Sequence, residues 1–393
     1  MELYGWGRYP RLDAQITLPR TRIECATAVQ RSAPLITHGL GRSYGDSALG
    51  SQVLGTQYLD HFEAFDADSG LLTCMAGVTL DAIVRSFVPR GWFLPVTPGT
   101  RFVTVGGAVA SDVHGKNHHG EGTFCAYVQQ LDLLLGNGER VTASPTENTE
   151  LFHASCGGMG LTGIILSATL QMKPIVASSI VQTTVKAPNL ESVLEAFAEH
   201  ASTTYSVAWI DCITRGKALG RSLLMLGEHA TDGQLTVQTK PPTPVPFDLP
   251  AALLNHFSVQ AFNTLYYGRI RQAVSQQRIA FEPFFYPLDA IGQWNRLYGK
   301  PGFVQYQFVL PQVAGVSGLR EVLSRIAESG RGSFLAVLKV FGPANANYLS
   351  FPQAGYTLAL DFKAEPAVLA LLDELDAIVL YHGGRLYLSL IHI

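Results

Sequence analysis

TPGTRFVTVGGAVASDVHGKNHHG, Thr97 to Gly120, is the stretch that decides how this chain is read. It sets small residues, Thr and Ser hydroxyls and the histidines His114, His118 and His119 between apolar flanks. Glycines at 99, 106, 107, 115 and 120 lack the Cβ that keeps a backbone away from a bulky ligand. A helix-like segment precedes it, with Leu80, Ile83, Val84 and Phe87 on one face and Gly91 at its end. A strand-like segment follows. Such a stretch wraps a ligand, and the sequence around it has to say which.

Working outward, 393 residues exceed one ordinary domain and predict two. Hydrophobic residues make up 47% and charged ones 15%, the balance of a large-cored globular enzyme. A net charge of −3 with no Lys/Arg run argues against a polyphosphate backbone, so no nucleic-acid partner is expected. The cysteines, Cys25, Cys74, Cys125, Cys156 and Cys212, form no CxxC and read as buried reduced thiols. The start of the chain shows no leader pattern and no apolar run reaches spanning length, which predicts a cytoplasmic protein.

LLTCM reads as a strand, YVQQLDLLLGNGERVTAS as a hairpin around Gly136-Asn137-Gly138, ENTELFHAS as a short helix and 161–174 as a strand ending at Pro174. Residues 26–33 read as a short helix before the brief strand PLITHG. After Pro174, strand-like pieces (SSIVQTTVKA, YSVAWIDCI, RSLLMLGEH, FVQYQFVLP, FLAVLKVFG, YTLALDF) alternate with helix-like ones at 189–200, 315–329 and 365–377. That is an α+β pattern with an antiparallel sheet, and it places a domain boundary near 175. KPPTPVPFDLP (240–250) cannot be regular. The apolar 251–268 reads either as a lid or as a packed helix under a long loop.

GLGRSYGD, Gly39 to Asp46, offers successive backbone N–H groups as an anion-binding concavity, with Arg42 and the Ser43 hydroxyl as further donors suited to a pyrophosphate. Gly41-Arg42-Ser43-Tyr44-Gly45 also matches the nucleophile elbow of serine hydrolases. An elbow needs a following helix, and DSALGSQVLGTQ is a poor one, so hydrolysis through Ser43 is the weaker alternative. Gly158-x-Gly160-x-x-Gly163 is a literal GxGxxG that leads into a strand rather than a helix, so the Rossmann context fails. The three histidines lack a completing ligand set apart from Asp112, and Gly115, Asn117 and Gly120 argue against a helix presenting them; no metal is expected. His114 reads as a polar side chain set against a flat cofactor, and His118 and His119 as exposed loop residues.

Taken in order and spacing, GLGRSYGD, the Thr97–Gly120 string and GGMGLTGIIL resemble the FAD-binding domain of the vanillyl-alcohol oxidase type, and the central string is most similar to the decaprenylphosphoryl-β-D-ribose 2-oxidase family. The resemblance continues through YSVAWID, FFYPLD, GFVQYQFVLP, LKVFGPAN, LSFPQAGYTLALDF and GGRLY, essentially the whole chain. It implies a two-domain flavoprotein, with a FAD-binding domain at 1–175, a substrate domain at 176–384 and the start of a return segment at 385–393. By position, Gly39, Leu40, Gly41, Arg42, Ser43, Tyr44, Gly45 and Asp46 would cradle the pyrophosphate. Pro98, Gly99, Thr100, Thr104, Val105, Gly106, Gly107, Ser111, Asp112, Val113 and His114 would line the flavin, with Ile164 or Ile165 adding backbone contact. The resemblance places His114 beside FAD without a covalent bond, and His114, Lys116 and Tyr387 at the reacting centre. Trp209, Tyr286, Gln305, Gln307 and Lys339 would bind substrate, since a phosphorylated sugar offers charge and hydroxyls.

Two departures stand out. Ala359 occupies the place of the family's pocket cysteine, a position without a chemical role. Beyond Tyr387 the chain reads LSLIHI, with Leu390 where the family carries a lysine, and residues 388–393 read as a non-native, adaptor-like extension. The resemblance implies FAD-dependent oxidation of a secondary hydroxyl on a polyprenyl-phosphate-linked pentose, in the making of cell-wall arabinan-type precursors. A short-chain reductase would act on the keto product, and the enzyme would touch the inner membrane peripherally. An aldonolactone or alditol oxidase is the alternative within the same domain plan, and an inactive flavin-binding fragment is a further one.

Overall fold

A computed structural model of the chain describes residues 1–31, 34–237 and 240–389. The architecture is α+β and rests on two antiparallel sheets. After an antiparallel pair of short strands, Glu2–Tyr4 with Arg11–Asp13, a small parallel sheet is formed by β1 (Gln15–Thr17), β2 (Ile36–His38) and β3 (Gln52–Gly55), with β3 in the middle. Helix α1 (Arg22–Arg31) connects β1 to β2 and begins earlier than the sequence suggests.

The five-stranded sheet is built from β4 (Phe62–Asp66), β5 (Leu71–Met75), β6 (Val128–Leu134), β7 (Arg140–Ala143) and β8 (Ile164–Gln171) in the order β7-β6-β8-β5-β4. The β6–β7 pair is the hairpin expected around Gly136-Asn137-Gly138. Helix α2 (Leu80–Phe87) follows β5, capped by Thr79, whose side chain accepts from Ala82 N. Leu80, Ile83, Val84 and Phe87 are all buried, as their spacing predicts.

The Thr97–Gly120 string is less extended than its glycines suggest. Val105–Ala110 forms α3, with Thr104 Oγ1 accepting from Gly107 N at 3.1 Å. His118–Glu121 forms a single turn, α4, which corrects the expectation that glycines would exclude a helix there. The turn closes because Glu121 N donates to Asn117 O at 2.8 Å while the Asn117 amide is anchored on Pro95 O at 2.7 Å. A Cβ at Gly106 would sit 2.9 Å from that of Ala76, and one at Gly115 3.0 Å from Thr97 O, so at these two positions the missing side chain makes room for neighbouring protein. Helix α5 (Thr149–Ser155) precedes β8.

The second sheet has eight strands: β9 (Ser179–Ala187), β10 (Tyr205–Ile210), β11 (Ser222–His229), β12 (Val274–Ala280), β13 (Phe303–Pro311), β14 (Ala336–Phe341), β15 (Gly355–Lys363) and β16 (Arg385–Leu386). Their order is β12-β9-β11-β10-β14-β15-β13-β16. The two faces follow from the period of two along each strand. Val304, Tyr306, Phe308 and Leu310, then Ala336 and Leu338, then Leu358, Leu360 and Phe362 bury one face under α6 (Leu190–Glu199), α9 (Gly315–Ser329) and α10 (Pro366–Tyr381). Each such fully buried Leu or Phe contributes about 1.5–3 kcal/mol. The alternate residues, Gln305 and Gln307, Val337 and Lys339, and Ala359, turn to the opposite face and to a cavity.

Helix α7 (His256–Gly268) sits at the edge of that cavity, after the irregular 240–250 segment, in which Thr243–Pro244 pair with Ile291–Gly292, and a short helix α8 (Phe281–Phe285) follows β12. Helix α7 is both packed and bordering. Asn263, fully buried, donates to Asp211 Oδ1 at 2.8 Å, while Phe262 and Tyr266 line the cavity and Phe257 and Leu265 face outward. Asp211 also holds Arg221 at 2.8 Å and Thr214 at 2.6 Å. Replacing Asn263 with alanine removes one hydrogen bond to a charged acceptor, about 1.5–3 kcal/mol, and is expected to loosen α7 locally. Limited tryptic digestion should then cut at Arg269 faster than in the unaltered protein, with the global melting curve nearly unchanged.

All five cysteines are buried and unbridged. Among the described residues no helix is long and apolar enough to cross a membrane.

Candidate active site

A cavity of about 1260 Å3 lies between the polar face of the eight-stranded sheet and the Gly39–Tyr44 and Thr97–Lys116 segments. It exceeds the roughly 300–1,000 Å3 of ordinary small-molecule sites, which leaves room for a dinucleotide and a substrate together. Among its lining residues Arg42, Lys116, Arg269 and Lys339 oppose the single acid Asp289, so the cavity suits an anionic ligand.

One wall is GLGRSYGD. Gly39, Leu40, Gly41, Arg42, Ser43 and Tyr44 line it, and Gly41 takes φ 61°, a left-handed turn that glycine adopts without strain. The Arg42 guanidinium lies 4.0 Å from the Trp6 ring centroid, and its Nε donates to Phe102 O at 3.2 Å, which aims a fixed positive group along the wall. Gly45 and Asp46 stand behind the lining; Gly45 N points to Ser389 O at 3.4 Å. Ser43 is no nucleophile elbow. Its hydroxyl donates to the Ser389 carbonyl, and the next α-helix after β2 among the described residues is α2, at Leu80. Of the 388–393 tail, Ser389 packs here, with its hydroxyl 3.1 Å from that of Ser111; Leu390 to Ile393 fall outside the described residues.

The opening string supplies the next wall. Pro98, Gly99, Thr100, Thr104, Gly106, Gly107, Ser111, Val113 and His114 line it, joined by Ile165. A Cβ on Gly99 would meet nothing within 4 Å, so here the backbone does lie open to a ligand. Val105 and Ile164 turn into the apolar core instead. Asp112 turns away too: its buried carboxylate accepts from Asn345 Nδ2 at 2.7 Å, Asn347 Nδ2 at 2.9 Å, Ser350 Oγ at 2.6 Å and Cys125 N at 3.0 Å. It clamps the string to the 345–350 loop rather than touching the cavity. The GxGxxG turn feeds β8, with Gly160 at φ 77° and Gly163 at φ 150°.

The third wall is the sheet. Trp209, Gln305, Gln307 and Lys339 line it, with Tyr387, whose hydroxyl donates to Ser111 O at 2.8 Å. Trp209 Nε1 donates to Phe334 O at 3.1 Å, so its ring face is what it offers. Tyr286 is not part of the lining; it is buried, with its hydroxyl 2.9 Å from Thr97 Oγ1, and burial pushes its pKa well above the ordinary phenol. Lys116 donates to Phe284 O and lies 4.5 Å from that ring's centroid. Burial, then the Lys339 charge, lowers the Lys116 ammonium to about 7, and burial lowers Lys339 to about 7 as well.

The histidines do different work from each other. His114 lines the cavity, boxed by Phe341 at 4.7 Å and Tyr387 at 5.2 Å between ring centroids. His118 is buried, not exposed as its loop context suggests, and its Nδ1 accepts from Gly342 N at 3.1 Å; burial lowers its pKa to about 4. His119 is half-buried and bonds Thr203 O at 2.8 Å. Two residues that sequence reasoning passed over complete the sheet face. Asp361 is buried and takes the Gln305 amide on Oδ1 at 2.5 Å, and burial raises its carboxyl to about 7. Thr357 receives the Gln307 amide at 3.0 Å. Both share the parity of Ala359 in YTLALDF, the signal that marks them in the sequence.

An open backbone at Gly99, a glycine turn carrying Arg42, and a polar sheet face opposite define a dinucleotide-type flavin site with a substrate space above it. The FAD binding domain family matches residues 17–144. The chain is 38% identical to decaprenylphosphoryl-β-D-ribose oxidase of Mycolicibacterium smegmatis over 98% of its own length and 87% of that protein's. It is 32% identical to a Streptomyces coelicolor protein of unassigned activity, over 79% and 88% of the two chains. A putative D-arabinono-1,4-lactone oxidase of Neurospora crassa matches at 29%, over 35% of this chain and 25% of its own. The protein is therefore an FAD-dependent oxidoreductase. It belongs to the decaprenylphosphoryl-β-D-ribose oxidase family. The lactone oxidases share only part of the chain with it.

Proposed function

We propose that this enzyme oxidises a secondary hydroxyl of a polyprenyl-phosphate-linked pentose to a ketone. Residues 1–175 hold FAD and 176–384 supply the substrate-facing sheet. The observation that carries the reading is Lys339 on the sheet wall with Gln305 and Gln307, a cation for a phosphate next to amides for sugar hydroxyls, with the Lys116 amine lining the same cavity. The relative from Mycolicibacterium smegmatis is named for such a substrate.

When bound, FAD supplies the hydride acceptor. The chain positions the sugar C–H and handles the hydroxyl proton. Lys339 pairs with the phosphate and stays charged. Burial, helped by that like charge, favours the neutral Lys116 amine, which takes the hydroxyl proton. A reductase acting on the keto product would complete an epimerisation. The outward apolar side chains Phe257 and Leu265 of α7 support a peripheral membrane contact through which a lipid-linked substrate reaches the cavity mouth.

The division of labour has a pH signature. Both lysines lie near 7, the base needs its neutral form and the phosphate ligand its charged form. kcat/KM on the phosphorylated substrate should follow a bell with both limbs near neutrality, the acid limb from Lys116 and the alkaline limb from Lys339. A phosphate-free pentoside should lose the alkaline limb only. A flat profile from pH 6 to 9 would contradict the assignment.

A further inference from the structure

A short chain of hydrogen bonds at the back of the cavity decides which nitrogen of His114 carries its proton. The Thr357 hydroxyl has one hydrogen, and it is directed to Phe308 O at 2.8 Å. Toward Gln307 the same oxygen can only accept, so the amide atom facing it at 3.0 Å must be the nitrogen. That amide nitrogen also lies 3.0 Å from His114 Nε2. An NH2 group has nothing but hydrogens to offer, so Nε2 must be bare and the ring proton must sit on Nδ1. A doubly protonated ring would set N–H against N–H. Burial, then the charge of Lys339 and that of His118, hold the ring well below the usual imidazole range, which keeps it neutral. Nδ1 is buried and meets no hydrogen-bond partner among the described residues, although the ring lines the cavity. The rings of Phe341 and Phe351 around it offer no acceptor, and Nδ1 makes no bond to the hydroxyl of Tyr387, which donates to Ser111 O.

We propose that Thr357, acting through Gln307, holds His114 as its neutral Nδ1–H tautomer, so that the ring beside the cavity has no free lone pair with which to take a proton from the ligand. Thr357 is a positioning residue, since it does not itself line the cavity. With the Nε2 lone pair occupied by Gln307, His114 cannot take the substrate proton. The ring stays neutral and leaves that proton to Lys116.

The test is side-chain 15N NMR of histidine-labelled holoprotein, with the His114 signals assigned by their loss in His114→Gln. The expected spectrum at neutral pH shows a protonated Nδ1 and a bare Nε2. Thr357→Val keeps the shape but cannot accept from the amide, so Nε2 should gain proton occupancy, and Thr357→Ser should restore the original pattern. Gln307→Glu, whose ionised carboxylate can only accept, should place a proton on Nε2 once the pH is raised far enough to ionise it, even if the valine variant folds poorly. A wild-type ring protonated on Nε2, or a Gln307→Glu protein with an ionised carboxylate and Nε2 still bare, overturns the proposal. Spectra of apoprotein, after FAD, and after a short-chain polyprenylphosphoryl pentose should keep Nδ1 protonated and Nε2 bare. A proton appearing on Nε2 at the sugar step overturns the proposal. The inference rests on the flavin site, and the tautomer readout holds even if no phosphopentose is turned over, so the two readings fail separately.

Discussion

Replacing Asp112 with alanine is expected to destabilise the protein by about 3–5 kcal/mol and to weaken its hold on FAD. The carboxylate is fully buried and gathers donors from Asn345, Asn347, Ser350 and Cys125. Removing it strands the Cys125 N–H and the Ser350 hydroxyl in the interior, where each unsatisfied group costs about 1–3 kcal/mol. Asp112 also sits at φ 39°, in the left-handed region that Asp tolerates and alanine enters at a cost of about 1–2 kcal/mol. Its neighbours in sequence, Ser111 and Val113, line the cavity, so release of the clamp should blur that wall. Denaturant unfolding gives the stability change, and flavin fluorescence on dilution gives the loss of cofactor. Asp112→Asn, which keeps one acceptor, should fall between the two. An alanine variant as stable as the parent would show that the clamp is incidental.

Lys339→Met should lower kcat/KM on a phosphorylated pentose by about 10- to 100-fold, the value of one charge-assisted hydrogen bond of about 1.5–3 kcal/mol. The loss should appear in KM, because the proposed role of the amine is to hold the phosphate rather than act at the reacting carbon. On a phosphate-free pentoside the two proteins should differ little. Stability should hold or rise, since burial already disfavours the Lys339 charge and methionine removes that cost. The same substitution also lifts the like charge from Lys116, whose pKa should climb and move the acid limb of kcat upward. Steady-state kinetics from pH 6 to 9 on both substrates separates these effects. Equal losses on both substrates would assign Lys339 to something other than phosphate.

The two-faced sheet is where the sequence speaks most clearly. In FVQYQFVLP and YTLALDF the residues Val304, Tyr306, Phe308, Leu310, Leu358, Leu360 and Phe362 fall on one parity and join the core under α9 and α10, so the strands and the cavity-facing Gln305 and Gln307 are both legible. Thr357 and Asp361 were hidden by the same rule, because a lone polar residue in an apolar strand has no visible partner until the neighbouring strand is in register. Local context misled at His118. Glycines and an asparagine around it suggest an open loop, but the bond from Gly342 N, over two hundred residues away in sequence, draws it inside. Asp112 misled for the opposite reason. It sits in a ligand-wrapping string, yet its side chain serves a distant loop, and no pattern within the string reports which way one side chain turns.

Reduction of the bound flavin without oxygen tests the central claim most directly. Purified holoprotein mixed anaerobically with a polyprenylphosphoryl pentose should lose its oxidised flavin absorbance with single-turnover kinetics and yield a keto sugar, while the free pentose and an aldonolactone leave the spectrum unchanged. A stable yellow protein that holds FAD, keeps its fold and is not bleached by the lipid-linked sugar, but is bleached by a lactone, would contradict the account.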